Sequence, residues 1–298
     1  MSVNFVHLHV HSQYSLLEGA IRVKDLCQEV ARLKMPAVAL TDSANLFGAY
    51  EFYEKARAAG IKPIFGAEVY YLTKGDLTSR DVKDKKEFLA NLILLAKDEE
   101  GYHNLCELLS LAHLKGFYYK PRLDRESLSK HSQGLIALSG TMEGEIHQRL
   151  LREEKDQAVQ AADFLLSTYG DNFYLELQDH QLPLEARVKD AVSELTKELQ
   201  LPVVATNDCH YLKKDQAEAQ LVLECIKKGW TLNEALDRGG TRTEEAYLKT
   251  PQEMGKIFKD RPEALANTIK IMEACQFSFE SKSYHLPQYK VESGKSLD

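Results

Sequence analysis

The chain has no run of about 18 or more apolar residues, the length a helix needs to cross a bilayer, so a membrane span is excluded. Its opening, Met1 to Val10, lacks the basic stretch followed by an apolar one that marks a secretory leader. Cysteine is sparse: Cys27, Cys106, Cys209, Cys225 and Cys275 make an odd number, and no two form a CxxC pair. That pattern excludes a disulfide framework and a zinc ribbon, and points to a reduced, cytoplasmic protein. No GxGxxG and no GxxxxGKS/T follows an apolar run, so dinucleotide and P-loop chemistry have no support. Positive charge is short as well: 38 Lys and Arg stand against 45 Asp and Glu, a net −7. The nearest approach to a basic run, Lys83 to Lys86, is interrupted by Asp84. A stand-alone nucleic-acid binder is therefore disfavoured, with room left only for a local basic strip.

What is present is ordinary globular material, 44% hydrophobic and 28% charged over 298 residues. This is enough for one large α/β domain with a small appendage. Short apolar runs, many of them β-branched, fall at 5–10, 37–41, 63–71, 91–96, 134–139, 173–177 and 202–206. Amphipathic stretches lie between them, at 23–33, 49–59, 104–114, 144–151, 155–168 and 184–199. In the first, Val23, Leu26, Cys27, Val30 and Leu33 share one face. This alternation predicts a mainly parallel sheet with right-handed crossovers. Seven strand candidates suit a distorted barrel, (β/α)7, better than an eightfold one; an open doubly wound sheet is the alternative. The polar stretch 73–86 reads as a loop. After His210 come helices at 214–228 and 261–275 around a turn at Gly239 and Gly240, and 284–298 reads as linker. The expected division is a barrel core over 1–212, a small C-terminal helical extension closing it over 213–283, and a linker over 284–298 that marks a piece of something longer.

In parallel α/β architectures, functional groups gather beyond the carboxyl ends of strands. The first run carries His7-Leu-His9-Val-His11, and its period-two alternation puts three imidazoles on one face. Asp208-Cys-His210 repeats the spacing at the end of the last run. Glu68 interrupts an otherwise apolar strand, where a carboxylate is costly without a cation or partner. Imidazole and carboxylate together suit zinc, manganese or iron, and such sites lower the pKa of a bound water for hydrolysis. Asp42 reads as a cap for the following helix, a role also open to Asp208. His103, His113, His131, His147, His180 and His285 read as solvated surface side chains.

The stretch Phe5-Val-His-Leu-His-Val-His-Ser-Gln-Tyr-Ser-Leu-Leu-Glu-Gly19 resembles the opening of the polymerase-and-histidinol-phosphatase (PHP) domain of bacterial DNA polymerase III alpha subunits. Similarity continues through Ala39 to Gly48, Gly60 to Gly66, Gly116-Phe-Tyr-Tyr-Lys-Pro-Arg122, Val204 to Tyr211, Tyr247 to Met254 and Leu286 to Tyr289. The resemblance implies a distorted seven-stranded barrel holding up to three metal ions. It places nine ligand positions at His9, His11, Glu18, Ser43, Glu68, Asn91, Thr141, Asp208 and His210. Five of these keep the family's ligand type: His9, His11, Glu68, Asp208 and His210. Glu18 replaces the usual Asp, while Ser43, Asn91 and Thr141 stand where metal-binding relatives have His, His and Cys. By resemblance, His9, His11, Glu68 and Asp208 hold one ion; Glu68 with positions 91 and 141, and positions 18, 43 and 210, serve two others.

The expectation is therefore at most one ion, zinc or manganese, and absent or very weak phosphoesterase activity. The leading function is a structural and docking module of a replicative DNA polymerase. It would pack against that polymerase's thumb and palm modules, help dock a separate proofreading exonuclease, and meet DNA through the parent enzyme. An active metal-dependent 3′–5′ exonuclease is the runner-up; a free-standing phosphatase fits poorly.

Overall fold

The computed structural model describes residues 4–80, 89–237 and 244–279. The expected turn at Gly239 and Gly240, the linker over 284–298, His285 and part of the 73–86 loop lie outside those residues. Six strands form one curled sheet in sequence order: β1 (Ala37–Leu40), β2 (Lys62–Leu72), β3 (Leu89–Ala96), β4 (Leu135–Leu138), β5 (Phe173–Leu177) and β6 (Val203–Ala205). Six of the seven apolar runs thus become strands. The run at 5–10 is extended but joins the sheet at one bridge, Val10 to Cys209. It nevertheless spans the two edges. His7 and Val10 carbonyls accept from Ala39 N and Thr41 N on the β1 side, while His9 O and His11 N bond Cys209 beyond β6.

The sheet is not mainly parallel throughout. β1–β2, β4–β5 and β5–β6 pair in parallel, whereas β3 runs antiparallel to both β2 and β4. β2 and β3 are separated by 16 residues, and antiparallel neighbours need no crossover helix to join them. The reversal matters for function, because it brings Asn91, near the start of β3, opposite Tyr70 near the end of β2.

Side chains alternate across this wall. Leu8, Ala37, Ala39, Ile64, Ile93, Leu95, Ile136, Leu138 and Val204 pack together on one face. The other face is covered by helices, including Val23–Arg32, whose Val23, Leu26, Cys27 and Val30 are buried as the spacing predicts. Helix Glu99–Leu114 begins five residues before the expected start at 104, because Asp98 caps it by accepting from Gly101 N at 2.9 Å. Gly101 is required by contact: a Cβ there would lie 1.8 Å from Gly134 O.

Helix Pro262–Ala274 closes the end of the sheet opposite the site described below. Its Ile271, with Cys275, joins the inner apolar cluster. Its polar side chains satisfy the wall's loose backbone ends: Thr268 Oγ1 accepts from Val6 N and Asn267 Nδ2 donates to Val203 O; its own Met272 O accepts from the Lys62 side chain.

Candidate metal centre

His9 and His11 follow one another on the same side of the extended N-terminal segment, with their Nε2 atoms 3.1 Å apart. Asp208, just past β6, sits in the left-handed region at φ 41°, a conformation that costs a non-glycine residue energy and tends to persist where function needs it. The turn aims its Oδ1 between the imidazoles, 3.4 Å from His9 Nε2, 3.3 Å from His11 Nε2 and 3.0 Å from His210 Nε2. The rings of His11 and His210 stack with centroids 4.5 Å apart. Among the described residues, donor atoms of His9, His11 and Asp208 lie within 4.8 Å of one another, a spacing that suits one metal ion.

The hydrogen bonds around these groups fix which nitrogen faces inward. His9 Nδ1 donates to Glu176 Oε1 at 2.7 Å, which turns Nε2 toward Asp208, where it would offer a lone pair once a cation displaces its proton. Ser15 Oγ spends its proton on Asp42 Oδ1 at 2.6 Å, so it accepts from His11 Nδ1 at 2.9 Å, and His11 Nε2 is a lone pair. Asp208 Oδ1 is buried yet has no well-directed hydrogen bond. A cluster of lone pairs around one carboxylate oxygen needs a positive charge, which a proton on His9 or a metal cation can supply, and the donor chemistry fits zinc or manganese.

Charge follows from the same contacts. Burial works against a proton on His9, but the Glu176 and Asp208 carboxylates outweigh it and raise its pKa to about 9. Burial likewise pushes Asp208 and Glu68 upward, yet the imidazoles win: His210 and His9 hold Asp208 well below the usual carboxylate range, and His11 and His9 hold Glu68 down.

The remaining expected positions form hydrogen-bonded pairs at the rim. Asn91 Nδ2 donates to Glu68 Oε1 at 2.7 Å and approaches Thr141 Oγ1 at 3.1 Å. Glu68 Oε2 accepts from Tyr70 at 3.0 Å and lies 3.1 Å from Ser43 Oγ, which also contacts Glu18 Oε2 at 2.7 Å. Lys227 pairs with the other Glu18 oxygen, and the Glu18 carbonyl accepts from His210 Nδ1 at 2.6 Å.

Several sequence readings are corrected here. His7 does not enter the centre: its Nε2 lies 2.8 Å from Lys249 O, and burial lowers its pKa to about 4. Asp42 caps no helix. Its carboxylate holds Ser12 N, Ser12 Oγ and Ser15 Oγ, and so orients His11 through Ser15. His147 and His180 are buried rather than solvated, the latter between Glu185 and the Asn207 carbonyl. Glu176, Ser15, Tyr70 and Lys227 were not anticipated at the site. For Glu176 the signal was available, since it interrupts the apolar Phe173–Leu177 run much as Glu68 interrupts its own.

The sequence profile of the PHP domain matches residues 7–180, more than half of the chain, and spans His9, His11, Glu68 and Glu176. The chain belongs to the PHP domain family. Curated relatives of this PHP domain include DNA polymerase III subunit alpha of Borreliella burgdorferi, 40% identical over 96% of the chain and 25% of the relative. The same subunit of Thermus aquaticus is 40% identical over 99% of the chain and 25% of the relative. The chain thus spans about a quarter of the length of these relatives. Among solved structures, a Bifidobacterium adolescentis protein classed provisionally as a metal-dependent phosphoesterase is 13% identical, with a TM-score of 0.44 over 70% of this chain and 88% of that one. Among the described residues, no helix is long and apolar enough to cross a membrane.

Proposed function

We propose that this PHP domain is a structural and docking module of a bacterial replicative DNA polymerase, with a metal centre reduced to one ion and little or no phosphoesterase activity. The observation that carries the reading is the hydrogen bonding of Asn91 to Glu68 and Thr141, and of Ser43 to Glu68 and Glu18. An amide and two hydroxyls there make good hydrogen-bond partners and poor replacements for imidazole and thiolate ligands. His9, His11 and Asp208 would hold the ion, with Glu68 and His210 beside it. An ion there supplies Lewis acidity that lowers the pKa of a bound water, whereas two-metal phosphoesterases also stabilise the leaving oxygen with a second ion. The residues of this chain orient the ligands: Glu176 acts on His9, and Asp42 acts on His11 through Ser15.

In this reading the N-terminal segment is the seventh, closing member of a distorted (β/α)7 barrel. The domain lies in the cytoplasm, packs against thumb and palm modules of the same polypeptide, and helps seat a separate proofreading exonuclease. Nucleotide addition and DNA contact belong to the parent polymerase. Metal analysis of protein purified without chelator tests the proposal, with at most one zinc or manganese expected per chain. Two or three tightly held ions would sink it.

The preserved orientation of His9 and His11 favours a second reading, a manganese-dependent 3′–5′ exonuclease. Digestion of a labelled primer that is abolished by His9→Ala would select it.

A further inference from the structure

The stretch 247–254 stands out in the sequence but gives no donor atom to the metal centre. With the two residues before it, it nevertheless reaches both segments that carry the expected ligands. Residues 245–249 lie beside the turn 207–211, with a parallel bridge between Tyr211 and Tyr247. His210 N donates to Ala246 O at 2.9 Å, and Leu248 N donates to Tyr211 O at 3.0 Å. On the other side, His7 Nε2 donates to Lys249 O at 2.8 Å and turns Nδ1 to Cys209 Sγ at 3.4 Å. This strap is itself anchored. Thr250 caps helix Pro251–Ile257 in a reciprocal box with Glu253, and the Tyr247 hydroxyl donates to Glu253 Oε1 at 2.7 Å.

The contacts converge on Asn207. Its Nδ2 donates to Glu245 O and to Tyr247 O, both at 2.8 Å, and its Oδ1 accepts from Lys249 Nζ at 3.1 Å. Its carbonyl accepts from His180 Nε2 at 2.9 Å. Both amide hydrogens and both oxygens are thus engaged. The next residue is Asp208, held at φ 41°. Strain of that kind persists only where the surroundings over-determine the backbone, and here they do so from both sides, through Asn207 before the turn and His210 N after it. Lys249 is 1% exposed, and an ammonium so placed is costly even with Glu245 Oε2 at 3.2 Å. An apolar side chain of the same length would fill the space at lower cost. It would not donate to Asn207.

We infer that residues 245–249 are a positioning strap for the metal centre, Lys249 holding Asn207 so that Asp208 and His210 meet His9 and His11 around one divalent cation. That role presupposes the one-ion reading above and adds to it. Glu176 and Asp42 orient the imidazoles of the N-terminal segment, whereas the strap orients the second ligand-bearing segment. It does so from beyond residue 180, where the family profile ends. Lys249 touches none of the ligand atoms, so its effect passes through the backbone of Asp208. A ligand set tolerates only about 0.5 Å of misplacement, which makes a clamp on that one turn decisive for affinity.

The test is calorimetric titration of the full, metal-free chain with manganese alone. Lys249→Met keeps the length of the side chain, and Glu245 keeps Lys214 Nζ at 2.6 Å, so the variant should fold. Its manganese affinity should fall about 10–100-fold, the usual effect of removing a group that orients a ligand. Asn207→Ala removes the same clamp without removing a charge and should fall alike. Thr268→Ala loses the Val6 contact at the opposite end of the sheet and should bind as the wild type does. A second readout needs no ion. In metal-free protein the imidazole NMR signals of His11 and His210, whose rings stack, should move in both clamp variants and stay in place in Thr268→Ala. Wild-type affinity in both clamp variants overturns the inference and leaves the one-ion reading intact. A loss shared by Thr268→Ala, or one with the imidazole signals unmoved, also overturns it, because the strap would then act otherwise than by position. No binding by the wild type overturns the one-ion reading, and the strap's role with it.

Discussion

Glu176 and His9 meet at 2.7 Å, and neither side chain touches solvent. The pair sets the tautomer of one expected ligand, and Glu176 is the largest single support for a proton on it. Replacing Glu176 by Gln keeps the shape and removes the charge. The pKa of His9 should then fall from about 9 toward its ordinary value, and affinity for manganese or zinc should drop about 10–100-fold. Imidazole NMR and calorimetric titration measure the two effects; an unchanged affinity would show that Glu176 does not orient the ligand.

The buried histidines predict a stability maximum near pH 6.5 in metal-free protein. His9 has its pKa raised to about 9, so its contribution is fully present below about 6.5 and is lost as pH rises through 9, on the order of 3 kcal/mol in all. His7 and His147 have theirs lowered to about 4, so their contributions are present above about 6.5 and are lost as pH falls through 4. Denaturant melts across pH 4–10 would reveal the dome. Bound manganese should suppress the alkaline decline, because metal binding itself displaces the His9 proton.

Asn91→Ala removes the amide that donates to Glu68 Oε1 inside the wall. Leaving that oxygen without its donor should destabilise the metal-free domain by about 1–3 kcal/mol. Urea denaturation checks the value, and a loss below about 0.5 kcal/mol would mean that water replaces the amide without penalty.

Lys227→Met takes the ammonium away from Glu18. The pair is partly exposed, so the loss in stability should stay at or below about 1 kcal/mol. The informative readout is the shift in melting temperature produced by manganese, which should be larger in the variant because a cation then no longer competes with an ammonium for Glu18. Equal shifts in the two proteins would rule out that competition.

Much of this centre was readable because burial makes polar residues conspicuous. His9, His11 and Glu68 interrupt apolar runs, and Asp208 and His210 repeat the spacing at the last strand's end. Glu176 carried the same signal and was passed over because the resemblance assigns it no ligand role. Other features depend on contacts that no local pattern encodes. The antiparallel direction of β3 is set by its pairing with β2 and β4, and the burial of His180 depends on Asn207, 27 residues away. Asp42 looked like a helix cap because its partners, Ser12 and Ser15, lie some 30 residues earlier in the chain. The N-terminal run has a strand's pattern but spreads its hydrogen bonds over two edges, so it forms no continuous ladder.

Helix Pro262–Ala274 has a practical consequence. The family profile ends at 180, yet the inner apolar layer is completed by Ile271 and Cys275. The span that evolution marks as shared and the span that must be synthesised before the interior is sealed are therefore different lengths. A recombinant piece trimmed to 7–180 would be a tube missing its last stave, Val203–Ala205, as well as its stopper. On a ribosome, too, the first strands emerge long before the plug that steadies them, so they must wait for the last turns of helix to become a finished object.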